Sequence, residues 1–241
     1  LFSYPFHRAC LLLTGLALTS NTAAINGRGT LFVANHVSYL DIPVLATLHD
    51  GVFVAKSDVK SWPLFGFLAR IGRTIFVSRR ASGLVRERSE IASRLANGES
   101  VFLFPEGTSS DGTRVLPFRA ALLSAVQSDD ELPVAVQPVS IAYGPASAEA
   151  EALGQDERDG YAWYGDMEMI PHFMNVVRKG AVDVTVVWGG PLRVSPGDDR
   201  KMLTRRLERS VREMAAVARA ASTRKGSSST PSQRSPLTHA P

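Results

Sequence analysis

"TLFVANHVSYLDIPVLATL" runs from Thr30 to Leu48. It opens as an apolar β-type run whose last residues are Val33 and Ala34. Asn35 to Leu40 can turn, and "DIPVLATL" follows as a helix with Pro43 in its first turn. Strand, turn and helix in such short order are the unit of an α/β protein. Five more runs of the first kind follow: "GVFVAK" (Gly51 to Lys56), "RTIFVS" (Arg73 to Ser78), "SVFLFP" (Ser100 to Pro105), "VAVQPVSIAY" (Val134 to Tyr143) and "AVDVTVVWG" (Ala181 to Gly189). Most are continuously apolar, which suits strands covered on both faces. Helical patterns lie between them. In "GLVRERSEIASRL", Leu84, Ile91 and Leu95 share one face, while Arg86, Glu90 and Arg94 lie on the other. The expectation is α/β: a mixed, largely buried β-sheet flanked by helices.

Composition sets wide bounds. The 241 residues can bury one sizeable core, and 44% hydrophobic with 21% charged residues is a globular balance. Twenty-seven Lys and Arg stand against 23 Asp and Glu, a net charge of +4. That excess suits an anionic substrate, a membrane surface or nucleic acid, and by itself selects none of them. Cys10 is the single cysteine, which excludes an intrachain disulfide and a cysteine-based zinc site.

His36 and Asp41 are the first candidates for chemistry. On one continuous helix, residues five apart sit about 140° from each other. A strand–turn–helix path can instead fold the carboxylate back to the imidazole, with Asp41 capping the helix. A carboxylate on one ring nitrogen fixes the tautomer and raises basicity, and it leaves the other nitrogen free to accept a proton. An ordinary loop histidine beside a helix cap is the competing reading. His7, His49, His172 and His239 lack a comparable acidic partner in a strand-end loop.

Three more stretches bear on the choice. "FLFPEGTSSDGTR" (Phe102 to Arg114) is a strand ending in a sharp loop, where Gly107, Thr108 and Ser109 suit phosphate binding. Glu106 repels phosphate, so it reads as orienting a cation or accepting from a substrate hydroxyl. "GRTIFVSRR" (Gly72 to Arg80) places Arg79 just after a strand, where its fork can grip phosphate. "VQPVSI" (Val136 to Ile141) carries a proline in an apolar run, read as an edge or bulge.

In this order, "NHVSYLD", "GRTIFVSR", "FPEGTSS" and "VQPVSI" resemble the four blocks of the glycerolipid acyltransferases, most closely the bacterial lysophosphatidic acid acyltransferases. The likeness covers roughly Leu31 to Ile141. It implies that His36 is a base held by Asp41, which deprotonates a lysolipid hydroxyl for attack on an acyl thioester. It further implies that Lys56 and Arg79 meet the acceptor phosphate, while Glu106, Gly107 and Thr108 shape the acceptor site. It calls for no metal and no cofactor beyond acyl-CoA or acyl-carrier protein as co-substrate. The family's third block commonly continues with arginine where this chain has Ser109; Arg114 or Arg119 can supply that charge. The first expectation is therefore transfer to lysophosphatidic acid, making phosphatidic acid. Lyso-ornithine lipid, which lacks the phosphate, is the alternative acceptor, and "WYGDMEMIPH" (Trp163 to His172) is similar to members of both kinds.

The resemblance also implies a membrane lipid surface as partner, at the cytoplasmic face of the bacterial inner membrane. The apolar run "ACLLLTGLAL" (Ala9 to Leu18) is half the length of a span and reads as a buried or interfacial helix; a secretory signal competes, and an anchor before Leu1 stays open. Trp62, Phe65 and Phe67 in "SWPLFGFL" suit shallow docking or core packing equally. Residues 1–29 are thus read as a lead-in, 30–221 as the acyltransferase domain, and 222–241, rich in Ser and Pro, as a disordered tail. Ala146 to Gly160 reads as an acidic surface excursion. Met202 to Ala220 is amphipathic, with Leu203, Leu207, Val211, Met214 and Ala218 in one stripe. Rival classes fare worse: nucleic-acid binding lacks aromatics interleaved with the basic residues. A serine hydrolase lacks its glycine-flanked elbow around Ser109 and Ser110. A non-catalytic membrane-binding protein of the same fold has no use for the His36–Asp41 pair.

Overall fold

The computed structural model describes residues 3–21, 29–61, 72–77, 84–123, 134–145, 160–180, 182–195 and 197–227. Arg79, the aromatics Trp62, Phe65 and Phe67, and most of the 146–160 excursion lie outside them. The strands are β1 (Leu16–Ser20), β2 (Thr30–Ala34), β3 (Val52–Lys56), β4 (Ile75–Val77), β5 (Val101–Leu103), β6 (Val134–Pro145), β7 (Val182–Trp188) and β8 (Leu192–Val194). The α-helices among the described residues are α1 (Ser3–Thr14), α2 (Asp41–Leu48), α3 (Leu84–Ala96), α4 (Met169–Lys179) and α5 (Arg200–Ser227).

The strands form one sheet in the order β1-β7-β6-β2-β5-β3-β4, with β8 also on β6. β6, β2, β5, β3 and β4 run parallel, and β7 and β8 pair antiparallel with β6. The sheet is therefore mixed, with a parallel centre. All five residues of β2 are buried, Leu31 and Val33 toward one face and Phe32 and Ala34 toward the other. On the Phe32 face, Leu11 of α1, Val44 and Leu45 of α2, and Val176 of α4 pack against Phe53, Phe102, Ile141 and Trp188. On the opposite face, Ile91 and Leu95 of α3 and Leu203, Leu207, Val211 and Ala215 of α5 cover Val101, Leu103 and Val136. Burial on both faces is why these strands read as continuous apolar runs.

Four expectations need correction. The apolar run Ala9 to Leu18 is not one helix: α1 stops at Thr14, Gly15 adopts φ +68°, and Leu16 begins β1. Glycine carries that dihedral without a Cβ clash. β1 then pairs with β7 from Leu16↔Val182 to Ser20↔Val186, so residues before 30 supply an edge strand of the main sheet and are more than a lead-in. Of the two readings of Pro138, edge or bulge, the edge fails, because β6 is flanked by β2 on one side and by β7 and β8 on the other, while the pairing on that second side is interrupted at Pro138. It sits between the last β7 pair, Val139↔Trp188, and the first β8 pair, Val136↔Leu192. Its carbonyl accepts from Gly189 N–H at that junction. A residue's N–H and C=O point to the same neighbour, so the missing donor falls where the partner strand changes. Finally, α5 continues to Ser227, into the segment read as a tail. No helix among the described residues is long and apolar enough to cross a membrane.

Candidate active site

Parallel strands put their C-terminal ends on one edge, where ligands of α/β proteins bind. Here His36 follows β2, Phe104 to Glu106 follow β5, and Lys56 ends β3 beside Val77 of β4. The chain turns at Ser38 to Asp41, where Asp41 N–H donates to Ser38 C=O at 3.0 Å. That turn carries the carboxylate back beneath the imidazole. Asp41 Oδ2 lies 2.7 Å from His36 Nδ1, and the expected pairing is present.

The way Asp41 is held differs from a helix cap. It is the first residue of α2, the residue before it is Leu40, and no side chain caps the helix. Its Oδ2 accepts instead from Val37 N–H at 2.8 Å and Ser38 N–H at 3.1 Å, while Oδ1 accepts from Tyr143 O–H at 2.8 Å. Asp41 is fully buried, and with only donors around it the carboxylate acts as an acceptor throughout. His36 Nδ1 therefore carries the proton, and Nε2 is left with a free lone pair. Burial, and next the Asp41 charge, push the Tyr143 phenol well above its usual pKa, so it stays a donor.

The ring of His36 stacks on Phe104 with centroids 4.2 Å apart. Its backbone is clamped from the same loop: His36 N–H donates to Glu106 Oε1 at 2.8 Å, and His36 C=O accepts from Ser110 N–H at 3.0 Å. The side chain remains 21% exposed, enough for a substrate hydroxyl to reach Nε2. Asn35 extends the sheet beyond β2, exchanging bonds with the N–H and C=O of Ile141, both at 2.8 Å. A base with one nitrogen fixed and the other presented to solvent is equipped to remove a proton from a hydroxyl.

Glu106 does not point where its charge suggested. Its Oε1 is taken by His36 N–H and its Oε2 by Leu116 N–H at 2.9 Å, so it ties two loops together from a buried position. Burial pushes its pKa up from 4.5 to about 7, although both backbone bonds pull the other way. A carboxyl whose folded pKa is raised stabilises the fold fully below its ordinary value, and that stabilisation is lost as pH rises through about 7. The difference amounts to about 3 kcal/mol by the usual conversion. Glu106→Gln does not titrate. The stability of wild type relative to this variant should therefore be greater at pH 5 than at pH 8, measured by urea unfolding. An equal difference at both values would exclude Glu106 as the titrating group.

Gly107 has φ +67°, and a Cβ there would lie 3.3 Å from Arg119 Nε. Glycine suits the turn by its dihedral, and a side chain there would press on the Arg119 guanidinium that covers it. Arg119 N–H donates to Pro105 C=O, fixing the base of that side chain. In the turn the amides of Gly107 and Ser110 are used by Phe104 and His36 carbonyls, while those of Thr108 and Ser109 bond nothing among the described residues. Thr108 is exposed and Lys56 half-buried. Ser110 is buried with its hydroxyl on the His36 and Arg114 carbonyls, a structural role and not a nucleophile's. Among the described residues no His, Cys, Asp or Glu side chains gather as a metal would need.

Sequence reading missed Tyr143, and it took Trp163 to His172 only as a family likeness, without its contact to the His36–Asp41 turn. Trp163 N–H donates to Val37 C=O at 3.0 Å. His172 Nε2–H donates to Ala162 C=O, so its Nδ1 accepts from Tyr39 O–H at 2.9 Å. The stretch 161–172 thereby braces the turn that carries His36 and Asp41 from outside. The available signal was a tyrosine ending the apolar run Val134 to Tyr143 that carries the fourth block. Tyr143→Phe removes one bond to a charged group and should lower the unfolding free energy by about 1.5–3 kcal/mol, measured in urea.

A strand-end imidazole seated on a buried carboxylate, at the C-terminal edge of a mixed sheet, gives an α/β protein a candidate general base. Comparison with known proteins gives the family. The acyltransferase family model matches residues 17–142. The lyso-ornithine lipid O-acyltransferase of Brucella abortus is 42% identical over 214 residues, 87% of this chain and 79% of that one. The 1-acyl-sn-glycerol-3-phosphate acyltransferase of Neisseria gonorrhoeae is 29% identical over 78% of this chain and 70% of its own. The crystal structure of the 1-acyl-sn-glycerophosphate acyltransferase PlsC from Thermotoga maritima superposes with a TM-score of 0.63 at 21% identity, covering 90% of this chain and 78% of that one. The chain belongs to the glycerolipid acyltransferase family and is an O-acyltransferase.

Proposed function

We propose that the chain transfers a fatty acyl group from an acyl thioester to the free hydroxyl of lyso-ornithine lipid. The observation that carries this acceptor is the 42% identity to an enzyme of that name, against 29% for a lysophosphatidic acid enzyme. Ser109, in the place where the family commonly has arginine, agrees with an acceptor that has no phosphate. The preference thus moves from the first expectation, lysophosphatidic acid, to its alternative.

In the reaction, His36 Nε2 takes the hydroxyl proton as the oxygen attacks the thioester carbonyl. The C–O bond forms, the C–S bond breaks, and the thiolate leaves with the proton returned from the imidazolium. Asp41 offsets the transient positive charge. Arg119 over the Gly107 turn meets the acceptor's carboxylate, with Lys56 on the same edge and Arg79 following β4 in sequence.

The acceptor is reached at a lipid surface. Leu12 and Leu13 on α1 and Ile170 and Met174 on α4 are exposed apolar side chains on helices that touch each other. Both helices cover the sheet face that bears the His36 ring, which suits shallow docking at the cytoplasmic side of a membrane.

The test offers labelled palmitoyl thioester with lyso-ornithine lipid and lysophosphatidic acid, each at a bilayer surface. Transfer predominantly to lyso-ornithine lipid is expected. Transfer only to lysophosphatidic acid would overturn the acceptor, and transfer to neither would overturn the reaction.

A further inference from the structure

On the α5 side of the sheet a cleft of about 510 Å³ is lined by Arg114, Val115, Leu116, Pro117, Arg212 and Arg219. Three guanidiniums face one flank of short apolar side chains. Glu208 of α5 holds Arg212 at 2.8 Å and accepts Phe118 N–H, and the charge of Glu106 also acts on Arg212. Arg114 is exposed and pairs with no acid among the described residues. Arg219 is held below its ordinary pKa by burial, the direction in which an arriving anion is favoured. Arg114 is thus the guanidinium in the cleft wall that no acid among the described residues engages.

Its position ties it to the reaction. Leu116, in the cleft wall, gives its N–H to Glu106 Oε2, and Glu106 Oε1 receives the N–H of His36. One buried carboxylate thus separates the cleft from the base. The exposed apolar residues of α1 and α4 cover the opposite face of the sheet, with Leu11 and Val176 in that core and Leu207 and Val211 of α5 in the other. The two substrates of the proposed reaction differ in the same sense. The acceptor is embedded in lipid, while the donor carries its acyl group on a water-soluble thioester arm with phosphates at the far end.

We propose that this arginine cleft binds the phosphates of the donor's phosphopantetheine arm. The inference rests on the acyl-transfer reading and adds where the donor lies. Arginine forks match phosphate oxygens in pairs, and Val115, Leu116 and Pro117 supply an apolar bed for the arm. Coenzyme A and a carrier protein both present a phosphate on that arm, and coenzyme A adds a second on its diphosphate and a 3′-phosphate.

The experiment measures kinetics of wild type, Arg114→Gln and Arg114→Glu with three donors: palmitoyl-CoA, palmitoyl-carrier protein and palmitoyl-pantetheine, which has no phosphate. Arg114 is exposed, so both variants keep the fold, checked by circular dichroism and melting. With the phosphate-bearing donor that wild type uses, KM should rise about tenfold in Arg114→Gln and more in Arg114→Glu. With palmitoyl-pantetheine it should not change. A rise only for palmitoyl-CoA assigns the cleft to the nucleotide phosphates, and a rise for both donors assigns it to the shared arm. Equal losses with all three donors, no change with any, or a rise confined to the acceptor's KM would overturn the proposal. An inactive wild type would instead sink the acyl-transfer reading, and palmitoyl-CoA binding to His36→Ala, with and without Arg114→Glu, then decides the cleft separately.

Discussion

His36→Ala should lose acyl transfer by about a hundred- to ten-thousand-fold in kcat, the usual contribution of a positioned general base. The expectation follows from the division of labour in the ring. Nδ1 is committed to Asp41 at 2.7 Å, and the ring plane is set by Phe104. Nε2 is thus the atom that can take the proton. Neighbouring groups cannot substitute for it, because Ser110 Oγ is engaged by two carbonyls and both oxygens of Glu106 hold backbone amides. KM for either substrate should change little, since the imidazole acts on the transition state. The fold should survive, because Asp41 keeps Val37, Ser38 and Tyr143 as donors. The cost is about 2 kcal/mol or less, one charged hydrogen bond at a partly exposed position. Single-turnover acyl transfer beside urea unfolding separates the two effects. A folded variant with full activity would mean that the base lies elsewhere.

Much of this arrangement was legible because it is local. β2, β3 and β5 could be read from their apolar runs, since a strand buried on both faces leaves no polar gaps. β7 was instead legible by alternation, with Val184, Val186 and Trp188 buried between half-buried residues. β1 could not, because its residues continue the apolar run of α1 and periodicity does not separate two short buried elements. Only Gly15 marks the break. The His36–Asp41 pair was legible because five residues of chain suffice to close it. Tyr143 was not: it is 102 residues from Asp41, and parallel pairing of β2 with β6 is what brings it there. Glu106 shows another limit. Residue type announced a charge beside a turn, but not that the side chain points inward to two amides.

Asp41→Asn should reduce kcat by about a hundredfold or more while leaving the fold nearly intact, and Asp41→Ala should damage both. The difference lies in how four donors divide between two oxygens. Three of them, His36 Nδ1–H, Val37 N–H and Ser38 N–H, converge on Oδ2, and only Tyr143 O–H meets Oδ1. An asparagine can place its carbonyl at the Oδ2 position and its NH₂ toward Tyr143. The tyrosine hydroxyl then rotates from donor to acceptor. Every polar group keeps a partner, but the negative charge that offsets the imidazolium is gone, and the remaining bonds are about half as strong. Alanine leaves the Val37 and Ser38 amides and the Tyr143 hydroxyl buried without partners, at a cost of about 3–5 kcal/mol. The same reasoning predicts coupling. Tyr143→Phe removes a bond to a charged oxygen from wild type but only a neutral bond, about half as strong, from Asp41→Asn. The double variant Asp41→Asn/Tyr143→Phe should therefore be less destabilised than the sum of the two single changes. Urea unfolding of the four proteins in that cycle tests it: additivity within about 0.5 kcal/mol would mean that the Tyr143–Asp41 bond does not position the carboxylate.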